Sequence, residues 1–493
     1  MNPLDLFDLP PEVVTAVIVA EYVVKILAVG MVPENRNPAS SQAWLLAILF
    51  IPVIGVPAFL LLGNPYLTGK RHLIQAEANL LYSEELEDWP TVPAGVEVDP
   101  GLRTILEMNR TLTAMPCMTG EYVDLHHDYA ESIAAMTAAV RTARHHVHVE
   151  FYAASWDDET EEFFAVLIEA AERGVVVRVL VDHLGSLRYR GFGRLRRRLR
   201  RSPVEFHLML PVNPFSGRFR RPDLRNHRKL LVVDGAVGFT GSQNLISRHY
   251  GSRRNARLGR EWIDVMVEVR GEIVDALDAM FAVDWYTESG EVVDTLDALV
   301  EYDEVPVECP VTAFQLVPSG PGYLTEPNLR MFTALVSHAR RRLRIVSPYF
   351  VPDQALLGAI TSASYRGVEV ELLVPERADQ FLVHHAQRSY YRALLEAGVR
   401  VRRYRSPAVL HSKLVLIDDH IGVVGSSNMD MRSFSLNFEV SLVVLGGAAV
   451  ADMNSVVDRY VAECTTLDLR SWLRRPWPGR YVDNVARLTS ALQ

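Results

Sequence analysis

The sequence predicts an α/β protein. Two pseudo-symmetric mixed-sheet units follow an N-terminal transmembrane helical hairpin. Three observations carry this prediction. Two long apolar runs precede residue 64, a set of sequence blocks occurs twice further on, and in each copy β-branched runs alternate with helical stretches.

A chain of 493 residues has room for two or three domains with their own cores. Residues 1–70 are assigned to the membrane anchor, 71–305 to the first unit, and 306–493 to the second unit with a C-terminal tail. Apolar residues at 49% and charged residues at 23% exclude a disordered or fibrous chain. A net charge of -9 argues against a protein that coats nucleic acid, so no nucleic-acid partner is expected. Cys117, Cys309 and Cys464 are far apart and form no CxxC, which gives neither a disulfide framework nor a zinc site.

Residues 13–32 form the first apolar run, interrupted by Glu21 and Lys25, which lie four apart and can pair on one helical face. The run either spans the membrane or lies in its interface. Residues 43–63 carry no charge and are long enough to cross about 30 Å of hydrocarbon at about 1.5 Å per residue. They are read as a spanning helix, with Pro52 and Pro57 tolerated as they are in membranes. A cleaved leader is not expected, because residues 1–12 have no Lys or Arg and include Asp5, Asp8 and Glu12. Lys70 and Arg71 follow the second run, whereas only Arg36 lies between the two. The positive-inside bias then places the rest of the chain on the cytoplasmic side of a plasma membrane, as a multi-pass protein.

The body is a repeat. In the first half, residues 143–156 read ARHHVHVEFYAASW, a helical stretch covers 161–172, and RGVVVRVLVD at 173–182 has the composition of a buried strand. The second half answers with ARRRLRIVSPYFVPD at 339–353 and RGVEVELLVP at 366–375. Each half then reaches HRKLLVVDGAVGFTGSQN (227–244) or HSKLVLIDDHIGVVGSSN (411–428).

These last blocks carry the chemistry. His227 and Lys229 are two apart on a predicted strand and share a face, as do His411 and Lys413. Asp234 and Asp418 follow at equal offsets, and Gly-Ser-x-Asn then supplies Ser242, Asn244, Ser426 and Asn428 as neutral donors. Two imidazoles, two ammonium groups and neutral donors suit a phosphodiester. One imidazole can attack phosphorus, the other can protonate the leaving alkoxide, and the remaining donors can steady the oxygens. Each His also needs a carboxylate on its other nitrogen. The matching positions are Asp264, 37 residues after His227, and Glu439, 28 residues after His411. No metal and no cofactor is expected. One HxKxxxxD copy means little, but two copies with the same Gly-Ser-x-Asn offset and a following carboxylate strand form a motif in its context.

These blocks resemble the paired HKD motifs of the phospholipase D superfamily. LLLGNP at 60–65, SPYFVPD at 347–353, GSSNMDMRSFSLNFEV at 425–440 and the Arg- and Trp-rich tail are similar to bacterial cardiolipin synthases. The resemblance implies a metal-independent phosphatidyl transfer from one phosphatidylglycerol to another through a phosphohistidine, releasing glycerol. Its alternatives are lipid hydrolysis to phosphatidic acid and, further off, a nuclease. It implies a catalytic set of His227, Lys229, Asp234, His411, Lys413 and Asp418, with the two Asp residues acting structurally. Asn244 and Asn428 bind phosphate with Ser242 and Ser426 near it, and Asp264 and Glu439 orient the His rings. Related enzymes suggest His227 as the nucleophile.

The sequence departs from the pattern in an arginine-rich stretch at 188–221 and a basic insertion at 247–260. The stretch is read as docking on anionic lipid, against the alternative of a solvated helix face. His145, His146, His148, His384 and His385 fit no common metal-site spacing. Glu150 and Tyr349 lie on strands that feed the site and can line it or belong to the core.

Overall fold

The structure is a computed structural model, and it describes residues 10–34, 38–63, 77, 89–213, 218–219, 221–293, 312–323 and 325–490. The expected domain limits, together with Arg36, Lys70 and Arg71, lie outside the described residues.

The first apolar run forms one helix, Pro11–Met31, with Pro11 in its first turn, where no amide hydrogen is needed. Among the described residues it is the one helix long and apolar enough to cross a bilayer. Glu21 and Lys25 pair on it at 2.5 Å. The second run departs from the expected straight span. It breaks at Ile51 into helices Pro38–Phe50 and Pro52–Leu62. Pro52 has no N–H to donate and disfavours helical backbone at Ile51, which sits at φ −136° and ψ 61°. The two pieces fold back until the rings of Trp44 and Phe59 are 5.6 Å apart. In a straight helix those residues would be about 22 Å apart.

The body is built on one 16-stranded sheet, fifteen of whose strands follow an order that is nearly a palindrome while Arg225–Asn226 pairs off that path with Asn437–Leu445. From the middle outward, the first half runs Cys117–His126, Met266–Arg270, Val237–Gly241, Lys229–Val233, His146–Phe151, Val176–Asp182 and Glu205–Met209. The second half runs Thr312–Ser319, Asn437–Leu445, Ile421–Gly425, Leu414–Ile417, Arg342–Val346, Glu369–Pro375 and Arg400–Tyr404, with Cys464–Thr466 added at the edge. The halves join where Cys117 pairs antiparallel with Gln315. The β-branched runs become buried parallel strands, and helices such as Glu161–Glu172 and Gln354–Tyr365 are the crossovers that parallel neighbours require. Large apolar clusters fill the space between sheet and helices.

Asp234 and Asp418 close the hairpins at the far ends of the motif strands. Both adopt left-handed backbone, at φ 53° and 52°. The Asp234 carboxylate accepts from the backbone N–H groups of Arg144, His145 and His146 at 2.7–2.8 Å. Asp418 does the same for Arg340, Arg341 and Arg342 at 2.7–2.8 Å. They tie each motif strand to the start of its neighbour and do not line the cavity described next.

Candidate active site

Two short parallel pairings build the site, and both cross between the halves. Arg225–Asn226, just before His227, pairs with Asn437–Phe438, just before Glu439. Val409–Leu410, just before His411, pairs with Trp262–Ile263, just before Asp264. The His227 N–H donates to Phe438 O and the His411 N–H to Ile263 O, each at 2.8 Å. Each histidine therefore meets the carboxylate of the opposite half. His227 Nδ1–H donates to Glu439 Oε2 at 3.0 Å, and His411 Nδ1–H to Asp264 Oδ1 at 2.7 Å. Along the chain each carboxylate follows the histidine of its own half, whereas in the fold it meets the histidine of the other.

The histidines also precede their strands, which begin at Lys229 and Leu414. Lys229 and Lys413 are buried, and each Nζ bonds the carbonyl of its motif histidine. Lys413 Nζ also lies 3.1 Å from His411 Nε2.

Ser242 and Ser426 serve the carboxylates instead of a ligand. Ser242 Oγ donates to Asp264 at 2.6 Å and Ser426 Oγ to Glu439 at 2.5 Å. Each also accepts from the next backbone N–H, of Val265 or Val440. The glycine before each serine is obligatory, because a Cβ on Gly241 or Gly425 would collide with the carbonyl oxygen of Val265 or Val440. Asn244 and Asn428 do face the cavity.

Both imidazoles, both asparagines and side chains from both halves line a single cavity of about 510 Å³. Arg188, Arg225 and Arg432 add positive charge to the two buried lysines. Several lining residues were missed by motif reading. Tyr152 packs edge-on to His227 at 4.9 Å, and the Lys229 ammonium lies 5.5 Å from its ring. Tyr250, from the basic insertion, accepts from Asn244 Nδ2 at 2.9 Å and stacks on Trp262 at 4.4 Å. Arg225 stands two residues before His227, a spacing that could have found it. Tyr152, Arg188, Tyr250 and Arg432 carry no comparable signal. Tyr349 lines the cavity, whereas Glu150 is core and accepts from Asn226 Nδ2 at 2.6 Å.

Burial dominates the protonation of the site. It pushes Lys229 down to about 7 and Lys413 down to about 8. His227 is held well below the ordinary imidazole value by burial and then by Lys229, Lys413 and His411. His411 is lowered by burial too, but the Asp264 charge opposes that. The two carboxylates diverge. His411 and its hydrogen bond keep Asp264 below the usual carboxylate range despite burial, whereas burial lifts Glu439 to about 7.

In the arginine-rich stretch, helix Phe192–Leu199 buries Phe192, Leu195 and Leu199 and leaves its arginines exposed. His146 and His148 share Asp278, at 3.0 and 2.5 Å. With Nδ1–H donating to Asp278, His148 Nε2 is free to accept from Arg178 at 3.4 Å. This network ties the strand His146–Phe151 to helix Ile273–Ser289, away from the cavity.

The family model described as "Cardiolipin synthase, PLD-like domain" matches residues 136–285 and 332–461, and the phospholipase D-nuclease N-terminal model matches 22–64. The chain belongs to the bacterial cardiolipin synthases of the phospholipase D superfamily. It is 33% identical over 474 residues to cardiolipin synthase A of Proteus mirabilis, covering 93% of this chain and 94% of that one. It is 33% identical over 464 residues to the cardiolipin synthase of Geobacillus kaustophilus, covering 93% and 90%. The crystal structure of phosphatidylserine synthase from Haemophilus influenzae shares the fold with a TM-score of 0.59 at 14% identity, over 80% of this chain and all of that one. As a family member the chain is an enzyme of the phosphatidyltransferase type.

Proposed function

We propose that this cardiolipin synthase joins two phosphatidylglycerol molecules through a phosphohistidine. The observation that carries the reading is the pair of imidazoles in one cationic cavity, each held at Nδ1 by a carboxylate from the opposite half. His227 has the depressed affinity for protons that a nucleophile needs. Its Nε2 attacks phosphorus while the bond to the glycerol headgroup oxygen breaks. His411, next to an ionised Asp264, carries the proton that this oxygen takes up. Glycerol leaves. The hydroxyl of a second phosphatidylglycerol then gives its proton to His411 and attacks phosphorus, freeing His227.

Lys229, Lys413, Asn244 and Asn428 hold the phosphate oxygens. The anion favours the ammonium form of both lysines, so substrate restores charges that burial weakens. We place the catalytic body on the cytoplasmic face, because Arg36, Lys70 and Arg71 all follow the spanning helix whereas residues 1–12 before it carry no Lys or Arg. Helix Pro11–Met31 is the span. Single turnovers with phosphate-labelled phosphatidylglycerol, quenched in alkaline detergent that preserves a phosphohistidine N–P bond, test the scheme. Label should collect on His227 and disappear in His227→Asn. Label on His411 alone would reverse the two roles.

A further inference from the structure

The active-site cavity suits headgroups better than fatty acyl chains. Its lining is His, Arg, Asn, Asp and aromatic side chains, and its only aliphatic members among the described residues are Leu382 and Val383. Both belong to the first turn of helix Phe381–Glu396. Leu382 is also half exposed, and Phe381 beside it is 68% exposed, so an apolar lip stands at the cavity mouth.

A second apolar surface lies beside the first. Helix Trp477–Arg487 packs on helix Phe381–Glu396 through Asp483, which is buried and binds His385 at 2.7 Å, Arg475 at 2.7 Å and Arg388 at 3.4 Å. The pair His385–Asp483 is followed along both helices by Tyr390 with Arg487 and Ser490. The two helices therefore lie side by side, and Trp477 and Tyr481 border a groove shared with Arg388, Ser389 and Arg392 of the first.

The outer face of this helix is exposed. Trp477, Tyr481, Val485 and Leu488 recur at helical spacing on one side, exposed by 67, 61, 45 and 76%. The buried Asp483 and Ala486 occupy the opposite side, and the exposed Arg480 and Arg487 flank the stripe. A contiguous exposed patch with Trp and Tyr is unusual on a water-facing surface. Aromatic rings beside aliphatic and arginine side chains are the composition of a helix lying in a bilayer interface. The arginines complement anionic headgroups, and the helix packs on the same helix that carries the lip of a cavity that leaves acyl chains outside.

We propose that helix Trp477–Arg487 docks in the headgroup region of an anionic bilayer and holds the Phe381–Leu382 lip against it, so that lipids present their headgroups while their chains stay in the membrane. This rests on the phospholipid-transfer reading for its substrate. It goes beyond that reading by assigning a docking surface separate from the N-terminal helices.

The test uses the full-length chain in phosphatidylglycerol vesicles containing lipid brominated near the headgroup end of the acyl chains. Trp477→Phe should reduce the quenchable share of tryptophan fluorescence; an unchanged share overturns the proposal. In a second arm, Arg480→Glu with Arg487→Glu should lower turnover on phosphatidylglycerol vesicles about tenfold or more. Turnover of monomeric short-chain phosphatidylglycerol should stay within about twofold of wild type. Equal loss on both substrates, or no loss on vesicles, contradicts docking. Quenching that is unchanged while Trp477→Phe lowers the oligomeric mass assigns the stripe to a second copy instead. Absence of any phosphatidyl transfer by the wild type would refute the proposed function, and the quenching arm would still decide the docking.

Discussion

Asp264→Asn separates the two histidines by role. In the structure Asp264 is buried, ionised, and 2.7 Å from Nδ1 of His411, a histidine from the other half of the chain. Asparagine keeps the shape and removes the charge, and its amide can face Nδ1 with a donor where an acceptor is needed. Breaking one partner of a buried pair costs about 3–5 kcal/mol. If that loss falls on the transition state, turnover drops about 10²–10⁴-fold. The loss should depend on the leaving group. A phosphatidyl ester of p-nitrophenol needs no proton from His411, so the burst of p-nitrophenol in stopped flow should return to within about tenfold of wild type. Glu439→Gln acts on His227, the proposed attacking group, and its burst should stay slow with either leaving group. Rescue of Glu439→Gln and not of Asp264→Asn would refute the cross-paired assignment of roles.

Asp234→Asn and Asp418→Asn should each cost about 2–4 kcal/mol of stability, measured by urea unfolding, because a charge that collects three backbone N–H bonds is lost. Turnover of the folded fraction should persist, since neither lines the cavity. Alkaline pH should lower kcat/KM from about pH 7 upward, as Lys229 and then Lys413 lose protons in the free enzyme, and kcat should fall only at higher pH. Stability moves the other way. The folded value of Lys229 lies below its ordinary 10.5, so the unfolded chain binds the extra proton between about pH 7 and 10.5 and stability rises with pH across that window. Lys229→Met should flatten that slope between pH 7 and 9 while abolishing turnover. Tyr250→Phe removes the hydroxyl that accepts from Asn244 and should cost about 1 kcal/mol, a five- to tenfold loss in kcat/KM on phosphatidylglycerol vesicles.

Much of the architecture was legible in the sequence because it is written twice. The blocks beginning at 143 and 339, and those beginning at 227 and 411, occupy equivalent strands on the two sides of the sheet's midline. The carboxylate partners were legible as residues and not as pairs. Alternation along a strand says which side a residue faces, whereas the parallel pairing of 225–226 with 437–438 decides which half it faces. The serines looked like ligand donors because a hydroxyl at a glycine turn has no address in the sequence. In the fold each is consumed by the carboxylate beside it. Tyr250 sits in an insertion that the repeat does not explain, and only its contact with Asn244 gives it a role. The break at Ile51 was signalled by Pro52, but length and apolarity outweighed the signal, and a proline that bends a helix looks the same in sequence as one that is tolerated.

The central claim is that one site made from both halves transfers a phosphatidyl group to a lipid alcohol in preference to water. The most direct test is product analysis by mass spectrometry after purified full-length enzyme acts on phosphatidylglycerol vesicles. Cardiolipin and glycerol should form in equal amounts, with neither product from His227→Ala or His411→Ala. Phosphatidic acid as the main product without cardiolipin, or full turnover in either histidine variant, would contradict it.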